Sequence, residues 1–209
     1  TGDGDFAAAA AYFRQASTAS PVSLAYARHV YMTLCTIGDW DALLGVATAR
    51  ARQFPFDAQA RLSRMLALHR LGREREARAA LDSAQASMDD SERETLFRVD
   101  RLLAPAANPV TGKRSFDSTA SAATDPAQLQ TINALYWQLN DPNSATPENE
   151  ALLEFVSRVV EAEIRWTDDV KKIRGADSDR GDIFIRYGPP AEVMTIPGTP
   201  SVQIFTDTL

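Results

Sequence analysis

"GADSDRGDIFIRYGPP", residues 175–190, is the stretch on which the reading of the second half of this 209-residue chain turns. Three readings compete for it. Asp177, Asp179 and Gly181 have the outline of a cation loop, Arg180-Gly181-Asp182 is a receptor-docking tripeptide, and Ile183, Ile185 and Tyr187 alternate with Phe184 and Arg186 as in a strand. A calcium loop needs its glycine at the sixth position and a glutamate at the twelfth. Counted from Asp177, the glycine falls one position early and the twelfth residue is Gly188. The tripeptide carries no context of its own. The alternation therefore predicts a bend at Gly181 and a strand over Ile183–Tyr187, followed by strands over Val193–Ile196 and Val202–Thr208.

Upstream of this stretch the period changes to that of helices. Asp125 is placed to cap, and Pro126 to open, a helix running through "QLQTINALYWQLN" (residues 128–140). "DPNSATPENE" (residues 141–150) then interrupts the chain, and a second helix is predicted from Thr146-Pro147 to Trp166. Glu148 and Glu150 suit the positive end of its dipole. Leu152, Phe155, Val156, Val159 and Val160 form one apolar face along it. An α+β unit is thus expected over residues 126–209, with its last strand running into the chain's end and the unit expected to be incomplete.

The first half carries a repeat. Gly4, Gly38 and Gly72 are spaced by 34 residues, Asp5 and Asp39 follow the first two, and Pro21 and Pro55 each fall seventeen residues after them. Ala9, Leu43 and Ala77 share one helical slot, and Phe13, Ala47 and Leu81 another. Such a period, with glycine at a tight corner and proline closing the unit, resembles the tetratricopeptide repeat over residues 1–90, and "GDFAAAAAYFRQASTASP" (residues 4–21) matches that family's second-helix pattern. "RLSRMLALHRLG" (residues 61–72) departs from it by placing Arg64 in a slot the family fills with an aliphatic residue. A corner at Gly4 implies a first helix upstream of Thr1, so the natural protein is expected to be longer. "DDSERETLFRVDRLLA" (residues 89–104) reads as a closing helix capped by Ser91, and residues 105–125, rich in Pro, Ala, Ser and Thr, read as a linker. The resemblance implies a short α-solenoid over residues 1–104, with a concave groove lined by the first helices through Arg28, Met32, Leu62, Leu66 and His69.

"LYWQLNDPNSATPENEALLEF", "RVVEAEIRW" and "DRGDIFIRYGPPAEV" follow one another in the order of the blocks of the GWxTD domain, a bacterial family that the second half resembles over residues 130–195. Asp141, Pro142, Thr146, Pro147, Asn149 and Glu150 fit that family's turn, and Asp179, Arg180, Gly181, Ile183, Ile185, Tyr187, Gly188, Pro189 and Pro190 its strand. The naming motif is eroded: Gly175 and Asp179 remain, with Ala176 for Trp and Ser178 for Thr. The resemblance implies an exported or cell-envelope protein of mainly α fold with a small β-containing module, and it implies no reaction.

Composition narrows the function classes. The net charge is −6, and residues 1–104 balance 13 Arg against 13 acids while residues 105–209 carry 9 cations against 15 acids, so no basic stripe invites nucleic acid. No run of eighteen apolar residues spans a bilayer. A lone cysteine, Cys35, forms no intrachain disulfide and no cysteine-based zinc site. His29 and His69 lack an acidic residue three or four positions away and read as helix histidines rather than a metal pair. Asp168 and Asp169 beside Lys171 and Lys172 read as a solvated cluster, and Trp40, Trp137 and Trp166 as core-edge packing. No catalytic residue, metal or cofactor is assigned. The first expectation is a non-enzymatic interaction or scaffold protein that captures a protein or peptide. The alternatives are a ligand-binding or enzymatic module with Asp179, Arg180 and Tyr187 at its mouth, and self-association through an open solenoid end.

Overall fold

A computed structural model of the chain describes residues 24–98, 126–190, 192–194 and 202–204, together with the single positions Ala8, Ala11, Gln15 and Leu102. The fold is mainly helical. Helices α1 (Leu24–Ile37), α2 (Trp40–Gln53), α3 (Ala58–Arg70) and α4 (Glu74–Gln85) form two pairs, and corresponding helices of the two begin 34 positions apart. Gly38 and Gly72 sit at the corners within the pairs at φ +70°, a left-handed backbone that side chains with a Cβ rarely adopt. Gly4, the first mark of the same ruler, lies outside the described residues.

Each helix start has a local cause. The Asp39 carboxylate accepts from the Ala42 backbone N–H at 3.0 Å at the head of α2. Asp57 does the same for α3 through Ala60 at 3.0 Å, while its second oxygen accepts from Arg50 Nε at 2.6 Å. Helix α5 (Asp90–Leu96) starts two residues earlier than the sequence suggested. Its cap is Asp89 rather than Ser91, because Asp89 and Glu92 form a reciprocal capping box, and it stops at Phe97, whose N–H donates to Arg93 O. Gly45 lies exposed within α2 with open space where a Cβ would stand. Gly45→Ala should therefore stabilise by up to about 1 kcal/mol, read as a thermal midpoint raised by about 2–4 °C; an unchanged or lowered midpoint would contradict this.

In the second half α6 (Pro126–Leu139) lies where its proline placed it, with Asp125 outside the described residues. Helix α7 (Glu150–Trp166) begins at Glu150, not at Thr146-Pro147. Asn149 is its cap, accepting from Leu152 N–H at 2.8 Å and donating from its amide to Trp137 O at 2.6 Å, so one side chain both starts α7 and ties it to α6. Thr146 stands before the helix, its hydroxyl 2.9 Å from both Asn143 O and Glu150 Oε1.

The stretch quoted first is a helix. Residues Gly175–Asp177 make a 3₁₀ turn and α8 (Asp179–Tyr187) follows, overturning the strand expected at Ile183–Tyr187. Ser178 caps α8 by accepting from Gly181 N–H at 3.0 Å, Asp179 and Asp182 occupy its first turn, and Gly188 ends it at φ +83° ahead of Pro189-Pro190. Gly181, Asp182, Phe184, Ile185 and Gly188 are buried, which is helical spacing. Strands β1 (Glu192–Met194) and β2 (Val202–Ile204) pair antiparallel, with Val193 opposite Gln203. The remaining residues of the strands expected at Val193–Ile196 and Val202–Thr208 lie outside the described residues.

Helix α7 is the centre of the molecule. Among the described elements it packs against α1, α3, α4, the 3₁₀ turn and α8. Leu153, Val156, Val159 and Ala162 have no accessible surface. Helices from both halves of the sequence thus share one apolar core. Trp137 of α6 meets Phe155 of α7 with tilted rings at 5.0 Å, and Trp166 of α7 meets Phe184 of α8 edge-on at 5.2 Å, so two tryptophans join α7 to its neighbours.

Candidate functional site

The groove that the sequence assigned to a partner is largely covered by α7 itself. Leu66 is fully buried, and Met32 is packed partly against the core. Arg28 reaches Asp169, just beyond the end of α7, at 2.6 Å. His69 Nε2 lies 2.8 Å from Glu154 and Nδ1 lies 2.8 Å from Glu74. Arg70 joins the same seam, donating to Glu154 at 2.9 Å and Glu161 at 3.2 Å. Arg165 bonds Glu161 at 2.7 Å and donates to Cys35 O at 2.6 Å. Across the seam the cations Arg28, His69 and Arg70 come from α1 and α3, and their acidic partners Glu154, Glu161 and Asp169 from α7 or its exit.

Burial and pairing set the charges there. Burial by itself would lower His69, but hydrogen bonds to Glu154 and Glu74 outweigh it and raise its pKa above the ordinary 6.5. Burial would raise the Glu154 carboxyl, yet the His69 hydrogen bond, the Arg70 charge and Arg158 hold it down at about 2. Burial pushes the Cys35 thiol up to about 12, which makes it an inert core group. The acidic partners of His69 escaped sequence inspection because one stands five positions on and the other 85 positions away. His29 Nδ1 faces Ala25 O at 2.7 Å. Among the described residues no cluster of three or more His, Cys, Asp or Glu side chains is placed to hold a metal.

Part of the groove stays open. A cleft of about 550 Å³ lies between α3, α5 and α7, within the usual range for ligand pockets. Ala58, Leu62, Met88, Leu96, Val160 and Ile164 supply its apolar lining. Arg28 and Arg174 stand on its wall, each paired with a carboxylate, Asp169 and Glu163 respectively. Arg28 and Leu62 are thus the two groove residues that still face open space. A smaller cavity of about 260 Å³ lies against Tyr136, Trp137, Phe155, Arg158 and Ile185.

Residues of the second-half motifs serve local structure. The Asp141 carboxylate accepts from Asn143 N–H at 3.0 Å, while Pro142 and Pro147 are exposed. Asp179, Arg180 and Tyr187 are exposed on α8 and line neither cavity described above. Within the Arg180-Gly181-Asp182 tripeptide, Gly181 and Asp182 are buried, and Asp182 bonds Arg186 at 3.3 Å, so it is not displayed for a receptor. Pro189 is exposed and Pro190 half-buried after the Gly188 stop. Among the described residues no helix is long and apolar enough to cross a membrane. Compared with protein-family models, curated proteins and solved structures, the chain matches none.

Proposed function

We propose that this chain is a non-enzymatic interaction protein of a bacterial envelope, a tetratricopeptide-like array joined to a GWxTD-like unit. Its recognition element on this reading is the cleft between α3, α5 and α7. The observation that carries the reading is the cleft's make-up: about 550 Å³ of apolar lining with Leu62 and Arg28 on its wall. Apolar lining with paired charges at the rim suits one or two aliphatic side chains of a protein segment, anchored by desolvation and oriented by the rim. The envelope assignment rests on the order of the sequence blocks alone.

The test uses a displayed peptide library panned on the full chain. Enriched peptides should carry aliphatic anchors, bind Leu62→Asp at least about tenfold more weakly, and bind a Phe56→Ser control as the parent does, since Phe56 is 91% exposed and outside the cleft. Thermal midpoints of the three proteins should agree within a few degrees. Enriched peptides that bind Leu62→Asp undiminished would remove the cleft as the recognition element.

A further inference from the structure

A ring of imidazole between two carboxylates has one arrangement that satisfies both. Ionised carboxylates only accept hydrogen bonds, so Glu74 and Glu154, each 2.8 Å from a different nitrogen of His69, together require both nitrogens to carry a proton. The His69 side chain is about 10% exposed, which leaves water little room to stand in for either partner. Geometry alone therefore demands a cation at this position.

We infer that protonated His69 is a pH-operated latch that fastens the corner between α3 and α4 to the central helix α7. His69 lies in the last turn of α3, Glu74 begins α4 beyond the Gly72 corner, and Glu154 lies on α7, so the one ring joins three helices. The charged groups around it are Glu74 from α4, Glu154 and Arg158 from α7, and Arg70 from its own helix. Loss of the proton leaves one donor for two carboxylates. Glu154 keeps Arg70 at 2.9 Å and Arg158 at 2.6 Å, whereas among the described residues His69 is the side chain paired with the Glu74 carboxylate. The ring thus keeps its remaining proton toward one side, and the join between α4 and α7 opens.

The pH window follows from the directions of the two groups. His69 is raised in the folded chain, so its contribution is complete below about 6.5 and fades as pH rises through the folded value. Glu154 is held at about 2, so its contribution is complete above its ordinary 4.5 and fades only as pH falls toward 2. The latch therefore contributes its full stability between about pH 4.5 and 6.5, and it opens as pH rises through the folded His69 value, above 6.5.

The chain has two histidines, which makes the test direct. In a proton NMR titration of the full chain, the His69 ring should titrate above 6.5 and should move the Glu74 and Glu154 amide resonances with the same midpoint. Glu74→Gln keeps the ring and its environment but removes one acceptor charge, and should lower that midpoint by about 0.5 pH or more. The gap in thermal midpoint between the parent and His69→Gln should be widest near pH 6 and should close toward pH 9. A His69 midpoint at or below 6.5, a midpoint indifferent to Glu74→Gln, or a gap equal at pH 6 and pH 9 would each overturn the latch. Should His69→Gln not fold, the Glu74→Gln titration decides alone.

Discussion

Gly175→Ala should destabilise the fold by about 3 kcal/mol or more, and lower its thermal midpoint by roughly 6–12 °C. A Cβ built at Gly175 would stand 2.0 Å from the Ala162 carbonyl oxygen and 2.7 Å from the Glu163 Cα. Both are backbone atoms of α7, the most deeply buried helix, so no side chain can swing aside to relieve the contact. The Gly175 N–H also donates to Thr167 Oγ1 at 2.9 Å and to Glu163 Oε2 at 3.0 Å, which pins the turn in place. A second glycine repeats the arrangement, since a Cβ at Gly181 would lie 2.0 Å from Gly175 O. Three backbone layers, α7, the 3₁₀ turn and α8, therefore stack with nothing larger than hydrogen between them. Melting followed by circular dichroism decides the matter. A Gly175→Ala protein within about 1 kcal/mol of the parent would show that this packing relaxes freely. Gly45→Ala, where no neighbour stands within 4 Å, supplies the opposite sign in the same assay.

Asp57→Ala should cost about 4 kcal/mol in urea unfolding. Two roles meet in one carboxylate. It caps α3 through Ala60 N–H, and it pairs at 2.6 Å with Arg50, the two side chains being 8% and 7% exposed. Loss of a cap accounts for about 1 kcal/mol, and stripping a buried guanidinium of its carboxylate for the larger remainder. The guanidinium also lies over the Phe54 ring at 4.9 Å, a contact that keeps it within the corner between α2 and α3. Asp57→Asn separates the two roles, because an amide oxygen still caps while the charge is gone. Its loss should fall between those of Asp57→Ala and the parent; equal losses for Asn and Ala would assign the whole effect to charge, and a parent-like Asn would assign it to the cap.

Much of this molecule is written in short-range chemistry. The corners at Gly38 and Gly72 were legible because a left-handed backbone strongly favours glycine; α2 and α3 were legible through the repeat period, and α6 through its apolar run and the proline that opens it. The stretch at 175–190 was misread. Alternation of Ile183, Ile185 and Tyr187 pointed to a strand, whereas the fold uses Ser178 as a helix cap and Gly188, ahead of Pro189-Pro190, as the stop. The helix prevails because Phe184 and Ile185, adjacent in sequence and on opposite faces of any strand, must both enter the core beside Trp166 and Ala176.

What lay beyond sequence inspection was the pairing of distant surfaces. The period of the first half set where its helices would turn and pair, and the apolar run of residues 152–160 set that a second-half helix would need cover. That each would be the other's partner was decided only in three dimensions, where Glu154 and Glu161 meet His69 and Arg70 across a separation of more than eighty residues. Local propensity acts over a turn or two of chain, while burial of a whole helix face is settled by whichever complementary surface the fold brings within contact distance.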